Sequence, residues 1–163
     1  MGRAVGRPVR RGPAGERAGR AAAGPGRRQA VSERAPRHPP EYLEGIRLFN
    51  HREYYEAHEV WESRWLHVGD SSANFYKGLI QAAVATLHWE RGNTVGARKL
   101  YGSMRKYLSA YVPVFMDLDV VGFLQMMEDY FEPLQRAVTA GQPVPPPEIA
   151  HPPQIALNER ARS

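Results

Sequence analysis

The chain of 163 residues contains no cysteine. That absence excludes a disulfide framework, thiolate metal sites, iron–sulfur ligation and a cysteine nucleophile together. It is compatible with a reducing environment, and a cytoplasmic location is expected. Long apolar runs are lacking as well. The longest uncharged stretches, Gly78 to Trp89 and Leu108 to Met116, fall short of the ~18 apolar residues that a membrane-spanning helix needs, so no membrane partner is expected. There is no phosphate-binding glycine loop, no Gly-x-Ser-x-Gly elbow and no nucleotide fingerprint. The length suits one domain of ordinary size rather than two with a sizeable core each.

What the chain has in excess is unevenly placed. Residues 1–40 hold ten arginines against Glu16 and Glu33, together with seven Gly, six Pro, eight Ala and no aromatic side chain. Such a segment cannot bury enough apolar surface to offset its chain entropy, so a disordered basic tail is expected. Its longest apolar run, Ala21 to Ala23, is too short for the core of a signal peptide. Val9 and Val31 are each compatible with an alternative start codon, which leaves a shorter native chain as an alternative. Scattered arginines attract phosphates without sequence preference, but this segment has no aromatic platform for bases. Nucleic acid bound through residues 1–40 is therefore the lowest of three functional readings. At the other end, residues 141–163 carry Gly141 and six prolines from Pro143 to Pro153, which exclude regular helix. An irregular strap is expected there, packed along the domain by Ile149, Ile155 and Leu157.

Residues 41–140 read as helices. Tyr42, Ile46 and Phe49 give a first helix over about 41–50, and a second spans about 53–66, followed by Gly69 as a candidate left-handed cap. Ser71 or Ser72 can cap a third helix running to about Arg91, apolar nearly all round and so expected at the centre. Gly92 stops it, and Asn93 or Thr94 can cap a fourth with Ala97, Leu100, Tyr101, Met104, Leu108 and Tyr111 on one stripe. Pro113 ends that helix. Asp117 or Asp119 can cap a fifth with Val120, Phe123, Met127, Phe131 and Leu134 inward and a kink or break at Pro133. No period-two alternation is evident. The fold class is all-α, a compact antiparallel bundle of about five helices.

One constellation could carry chemistry. At 100° per residue Tyr55, His58, Glu59 and Glu62 share an arc of about 100° on the second helix, with Glu56 beside it and, next to His58 on the other side, Tyr54, Trp61 and Trp65, large aromatics expected to face the core. On the third helix Asn74, Lys77, Gln81 and His88 form a polar line. An amide buried without a partner costs about 1–3 kcal/mol, so Gln81 is expected to be matched by His58, Glu59 or Glu62. The spacing His58-Glu59-x-x-Glu62 differs from the His-Glu-x-x-His zinc motif by Glu62 in place of the second His. Glu-x-x-His, needed for a four-helix di-iron site, is absent. If a metal binds, a single zinc or manganese ion held by His58, Glu62, and Glu59 or Glu56, with His88 as a further candidate ligand, is the form to expect, and Glu56 or Glu59 is the candidate general base. The competing account is a hydrogen-bond network that pins two helices in register.

The string Phe49-Asn50-x-x-x-Tyr54-Tyr55-Glu56-Ala57-His58-Glu59-x-x-Glu62-x-x-Trp65, followed by Gly78-Leu79-Ile80-Gln81-Ala82-Ala83 and then Arg91-Gly92-Asn93-x-x-Gly96-Ala97, resembles the bacterial and archaeal family called domain of unknown function 309. The likeness spans about residues 41–110 and leaves both tails outside. It implies a compact all-helical fold and a polar site at Glu56, His58, Glu59, Glu62 and Gln81, with Asn93 in the turn between the third and fourth helices. It implies no reaction. The leading expectation is a binding or scaffold domain in which Tyr55, Gln81, His88 and Asn93 are the binding candidates. The rival is a metal-dependent hydrolase-like enzyme. Self-association into a homo-oligomer is compatible with an aromatic-rich bundle of this size.

Overall fold

Proline near the first turn of a helix gives up no needed amide and already holds a helical φ, and Pro39 and Pro40 start the first helix, α1 (Pro40–Asn50). The structure, a computed structural model, describes residues 37–158; the basic tail expected over residues 1–40 lies outside them as far as residue 36, and its last residue, Pro40, already belongs to α1. Four further helices follow: α2 (Tyr54–Trp65), α3 (Ala73–Glu90), α4 (Thr94–Leu108) and α5 (Val120–Thr139). The chain is all-α, with a single short hairpin among the described residues.

The turns follow from local chemistry. Arg52 takes the left-handed region at φ 62° between α1 and α2. Gly92, at φ 79°, ends α3 where a side chain would be strained. The Asn93 side chain then accepts from the Gly96 amide at 3.0 Å and caps α4. Asp119 does the same for α5 through Gly122, also at 3.0 Å.

Three local expectations are corrected. Gly69 is not a left-handed cap. α2 ends through i→i+3 bonds from His67 to Arg64 and from Val68 to Trp65, and Asp70 then accepts from the Ser72 amide and hydroxyl. Ser72 therefore spends its hydroxyl on Asp70 and makes no side-chain cap on α3. Pro133 does not break the fifth helix, because α5 runs through it to Thr139. Pro133, Asp129 and Met126 share the exposed face, so the Asp129 carbonyl, deprived of its amide partner, faces solvent, while the buried stripe continues behind.

After a 3₁₀ turn at Ser109–Tyr111 comes a hairpin, β1 (Val114–Phe115) and β2 (Leu118–Asp119), pairing Val114 with Asp119 and Phe115 with Leu118. Its two loop residues, Met116 and Asp117, both have positive φ, at 47° and 61°, the geometry of a tight I′ connection.

Core formation is dominated by α3, which packs against α2 on one side and α4 on the other, while α1 packs on α2 and α5 on α4. Phe75, Tyr76, Leu79, Ala82, Ala83, Ala85 and Trp89 are all buried on it. Gly78 permits the approach of α4, since a Cβ there would meet Leu108 Cδ2 at 2.6 Å. Aromatic edges fill the centre: Phe49 meets Tyr54 at 5.2 Å, and Tyr101 stacks on Phe131 at 4.7 Å.

The Pro-rich strap is irregular, as its sequence dictates, yet tied down. Trp89 Nε1 donates to the Pro145 carbonyl at 2.9 Å. The Asn50 side chain both donates to the Ile155 carbonyl and accepts from its amide, at 2.8 and 2.7 Å. Leu157 bridges Leu118. Ile155 is buried and Leu157 half-buried, whereas Ile149 is 64% exposed and does not pack. Among the described residues no helix is long and apolar enough to cross a membrane.

Candidate functional site

The rotation of α2 decides where its polar residues point. Tyr54, Ala57 and Trp61 are buried at i, i+3 and i+7, and Trp61 Nε1 donates to the Tyr42 carbonyl at 3.3 Å. With that stripe inward, the predicted arc splits along its two edges. Tyr55, Glu56 and Glu59 are exposed, whereas His58 and Glu62 lie half-buried on the flank toward α3. Trp65, expected in the core, is half-buried one turn beyond them.

His58 has a neighbour at each ring nitrogen. Nδ1 lies 3.0 Å from the Tyr55 carbonyl and, since a carbonyl can only accept, donates its hydrogen there. Nε2 lies 3.1 Å from Glu62 Oε2. Glu59 turns the other way. Hydrogen bonding to its carboxylate, followed by its charge, raises the Tyr55 phenol above the ordinary tyrosine value.

On α3, Lys77, Ile80, Gln81 and Val84 follow at i, i+3, i+4 and i+7, a single helical face. These four, with His58, Glu62 and Trp65 of α2 and Leu100 of α4, line a cavity of about 270 Å³. The walls are apolar at Trp65, Ile80, Val84 and Leu100. The polar groups are the His58–Glu62 pair, Lys77 and Gln81. Lys77 Nζ sits 4.9 Å from the centroid of the Tyr107 ring. Hydrogen bonding to Lys77, more than the charges of Lys77 and Lys106, draws the Tyr107 phenol below its ordinary pKa. Among the described residues no carboxylate forms an ion pair with Lys77.

The expected match for Gln81 is corrected. Its Oε1 is buried and accepts no hydrogen bond. The reason is visible at His58, whose two nitrogens are already engaged by Tyr55 and Glu62. Gln81 thus shares a cavity with His58 and Glu62 without bonding to either.

The remaining candidates lie elsewhere. His88 and Asn93 meet each other, with Asn93 Nδ2 donating to His88 Nδ1 at 3.2 Å, in the turn where Asn93 caps α4. Neither Tyr55, Glu56, Glu59, His88 nor Asn93 lines the cavity. Among the described residues no group of three His, Asp or Glu side chains gathers closely enough to hold a metal ion. The cavity residues absent from the candidate set are Trp65, Lys77, Ile80, Val84 and Leu100. Lys77 already stood on the polar line of α3, one turn before Gln81. A larger depression of about 490 Å³ beside Arg98, Lys99 and Gly102 is lined by no carboxylate and no histidine.

Comparison with known proteins bears on this site. Residues 42–100 match the family described as domain of unknown function (DUF309), a span that contains all eight cavity-lining positions, from His58 to Leu100. The chain is also similar to the uncharacterized protein YpuF of Bacillus subtilis (strain 168), at 30% identity over 102 residues, covering 60% of this chain and 59% of that protein's length.

Proposed function

Taking as premise that residues 42–100 place this chain in the family of domain of unknown function 309, we propose that the protein is a small-molecule-binding domain. Its site is the cavity between α2, α3 and α4. One observation carries this: a cavity walled mostly by apolar side chains is lined by Gln81, whose buried Oε1 accepts no hydrogen bond among the described residues. Polar groups left open in such a place cost free energy unless a partner meets them, whereas a purely structural network would close on itself. The cavity, at about 270 Å³, is just below the ~300–1,000 Å³ of small-molecule sites, which points to a ligand of one ring or a short branched chain.

Benzyl alcohol titrated into ¹⁵N-labelled protein tests the location. Amide shifts confined to residues 58–65, 77–84 and around Leu100, and abolished by Val84→Trp or by the milder Leu100→Phe, are expected. Shifts scattered over the surface, or unchanged in both cavity-filling variants, would remove the site.

Metal-dependent hydrolysis is the second reading, favoured by the 3.1 Å approach of His58 Nε2 to Glu62. A catalytic zinc site takes three protein ligands, and His58 with Glu62 supplies two. Elemental analysis decides: about one equivalent of metal per chain, lost in His58→Ala, would replace the binding reading with this one.

A further inference from the structure

We infer that the face formed by α2, α3 and α4 is a docking surface for a second copy of this chain, the two copies meeting about a two-fold axis that runs along α3. The inference goes beyond the binding reading: the cavity opens on this face, but self-association is measured with no ligand present.

The middle of the face is apolar. α3 buries side chains around most of its circumference, yet Ile80, Val84 and Leu87, at i, i+4 and i+7, are only half-buried. Ile80 and Val84 line the cavity between α2 and α4, and Leu87 continues their line along α3. Trp65 of α2 and Leu100 of α4, also half-buried, border the same strip. A contiguous apolar strip of this kind, rimmed by charge, marks an interaction site.

The two rims carry opposite charge. On α2 the rim is acidic, with Glu62 half-buried beside the strip and Glu59 exposed. Arg64, the one Lys or Arg of α2, turns to the opposite edge, where it acts on the Tyr76 phenol. α4 carries no Asp or Glu at all. Its Lys99 and Lys106, at i and i+7, are exposed, and Lys106 acts with Lys77 of α3 on the Tyr107 phenol, which fixes it on the α3 side. Arg98 is drawn the other way, to Gln135 of α5 at 3.2 Å. α3 stands between the rims, and among the described residues Glu59, Lys99 and Lys106 form no ion pair.

Such a face is complementary to itself. A two-fold axis lying in the interface along α3 sets α3 on α3 and exchanges the rims, so each copy's α2 carboxylates face the other's α4 lysines. An axis across α3 would set acid on acid and base on base. A polyanion would meet Glu59 and Glu62, and a polycation would meet the lysines; a second copy supplies acid, apolar strip and base in the order required. The size suits a stable contact. The 18 residues of α3 extend about 27 Å, and three helices 8–10 Å apart span about 20 Å, a footprint on the scale of the ~800 Å² per copy in a standard interface.

Sedimentation equilibrium of the full chain at micromolar concentration and about 0.15 M ionic strength tests this, and the expected species is two chains of 18.3 kDa each. Glu59→Lys with Glu62→Lys, and separately Lys99→Glu with Lys106→Glu, should each weaken the dimer at least about a hundredfold, because like charges then face each other twice. Mixing the two variants should restore a one-to-one heterodimer, since each reversed rim then meets its opposite. A variant that had only lost its fold would not be rescued in this way. A monomeric wild type, variants that still dimerise alone, or a mixture that stays monomeric would each overturn the inference. Wild-type species that keep growing beyond two chains with concentration would overturn the closed two-fold arrangement. None of these outcomes bears on the cavity, which the benzyl alcohol titration reads separately.

Discussion

At the residue scale the site depends on one indole. Trp61 is fully buried, hydrogen-bonds the Tyr42 carbonyl of α1 and lies so close over Gly45 that a Cβ there would overlap its Nε1 and Cδ1 atoms. That contact sets the rotation of α2 about its axis, and with it the side to which His58 and Glu62 turn. Gly45→Ala is therefore expected to act twice. Overpacking of this kind costs about 1–3 kcal/mol, read as a lower urea midpoint with an unchanged slope. The displaced helix should also weaken any ligand of the cavity, although Gly45 does not line it. A variant as stable as wild type would show that Trp61 does not hold α2 in place. The sequence already marked Tyr54 and Trp61 as inward-facing. It could not show that the arc Tyr55–His58–Glu59–Glu62 divides between two edges, because an arc of ~100° straddles the line between a packed and a free flank, and only the neighbouring helix fixes that line.

Among elements, the parts read correctly from sequence are those governed by local chemistry. Gly92 with Asn93 ends α3 and starts α4, Asp119 starts α5, and the apolar period of α4 and α5 gives their buried faces. The parts misread are those in which tertiary context wins. α5 continues through Pro133 because the freed carbonyl faces water and the inward stripe is unbroken. The Met116–Asp117 hairpin lacks the Asn-Gly signal that usually reveals such a turn; Asp117 is instead held from outside by His38 at 2.7 Å and Arg37 at 3.1 Å. Asn93 illustrates how a residue of a recognisable motif can serve an element rather than a site. Its Oδ1 caps α4 and its Nδ2 meets His88. Asn93→Ala is expected to lower stability by about 0.5–2 kcal/mol, and Asn93→Gly by only a few tenths. The benzyl alcohol affinity of the cavity should be unchanged in both. A loss of affinity without a loss of stability would instead put Asn93 at the binding site.

For the whole molecule, the tyrosines tie stability to pH. All eight tyrosines of the chain lie from Tyr42 to Tyr130, and burial sets several of them apart. Burial, then the neighbouring Tyr76 and Asp117, raises Tyr42, whose hydroxyl donates to the Met116 carbonyl at 3.0 Å. Burial also raises Tyr54, and pushes Tyr130 up to about 12 with help from Glu90. In the unfolded chain each ionises near pH 10. Above that pH the unfolded state binds fewer protons than the folded one, so stability falls as pH rises. The contribution is whole below pH 10 and is lost on the way to the folded values. Tyr107 goes the other way, since Lys77 draws it below its ordinary value. An alkaline titration followed at 295 nm and by far-ultraviolet circular dichroism should therefore be biphasic. A first step, from Tyr107 among the exposed phenols, leaves the helices intact and moves to higher pH in Lys77→Met. A later, cooperative step at or above pH 10 coincides with loss of helix, because Tyr42 joins α1 to the hairpin and cannot ionise without opening both. Eight tyrosines titrating together near pH 10 with helix retained would refute the burial of Tyr42, Tyr54 and Tyr130. A first step unmoved by Lys77→Met would detach Lys77 from the Tyr107 ring, against the 4.9 Å approach of its ammonium.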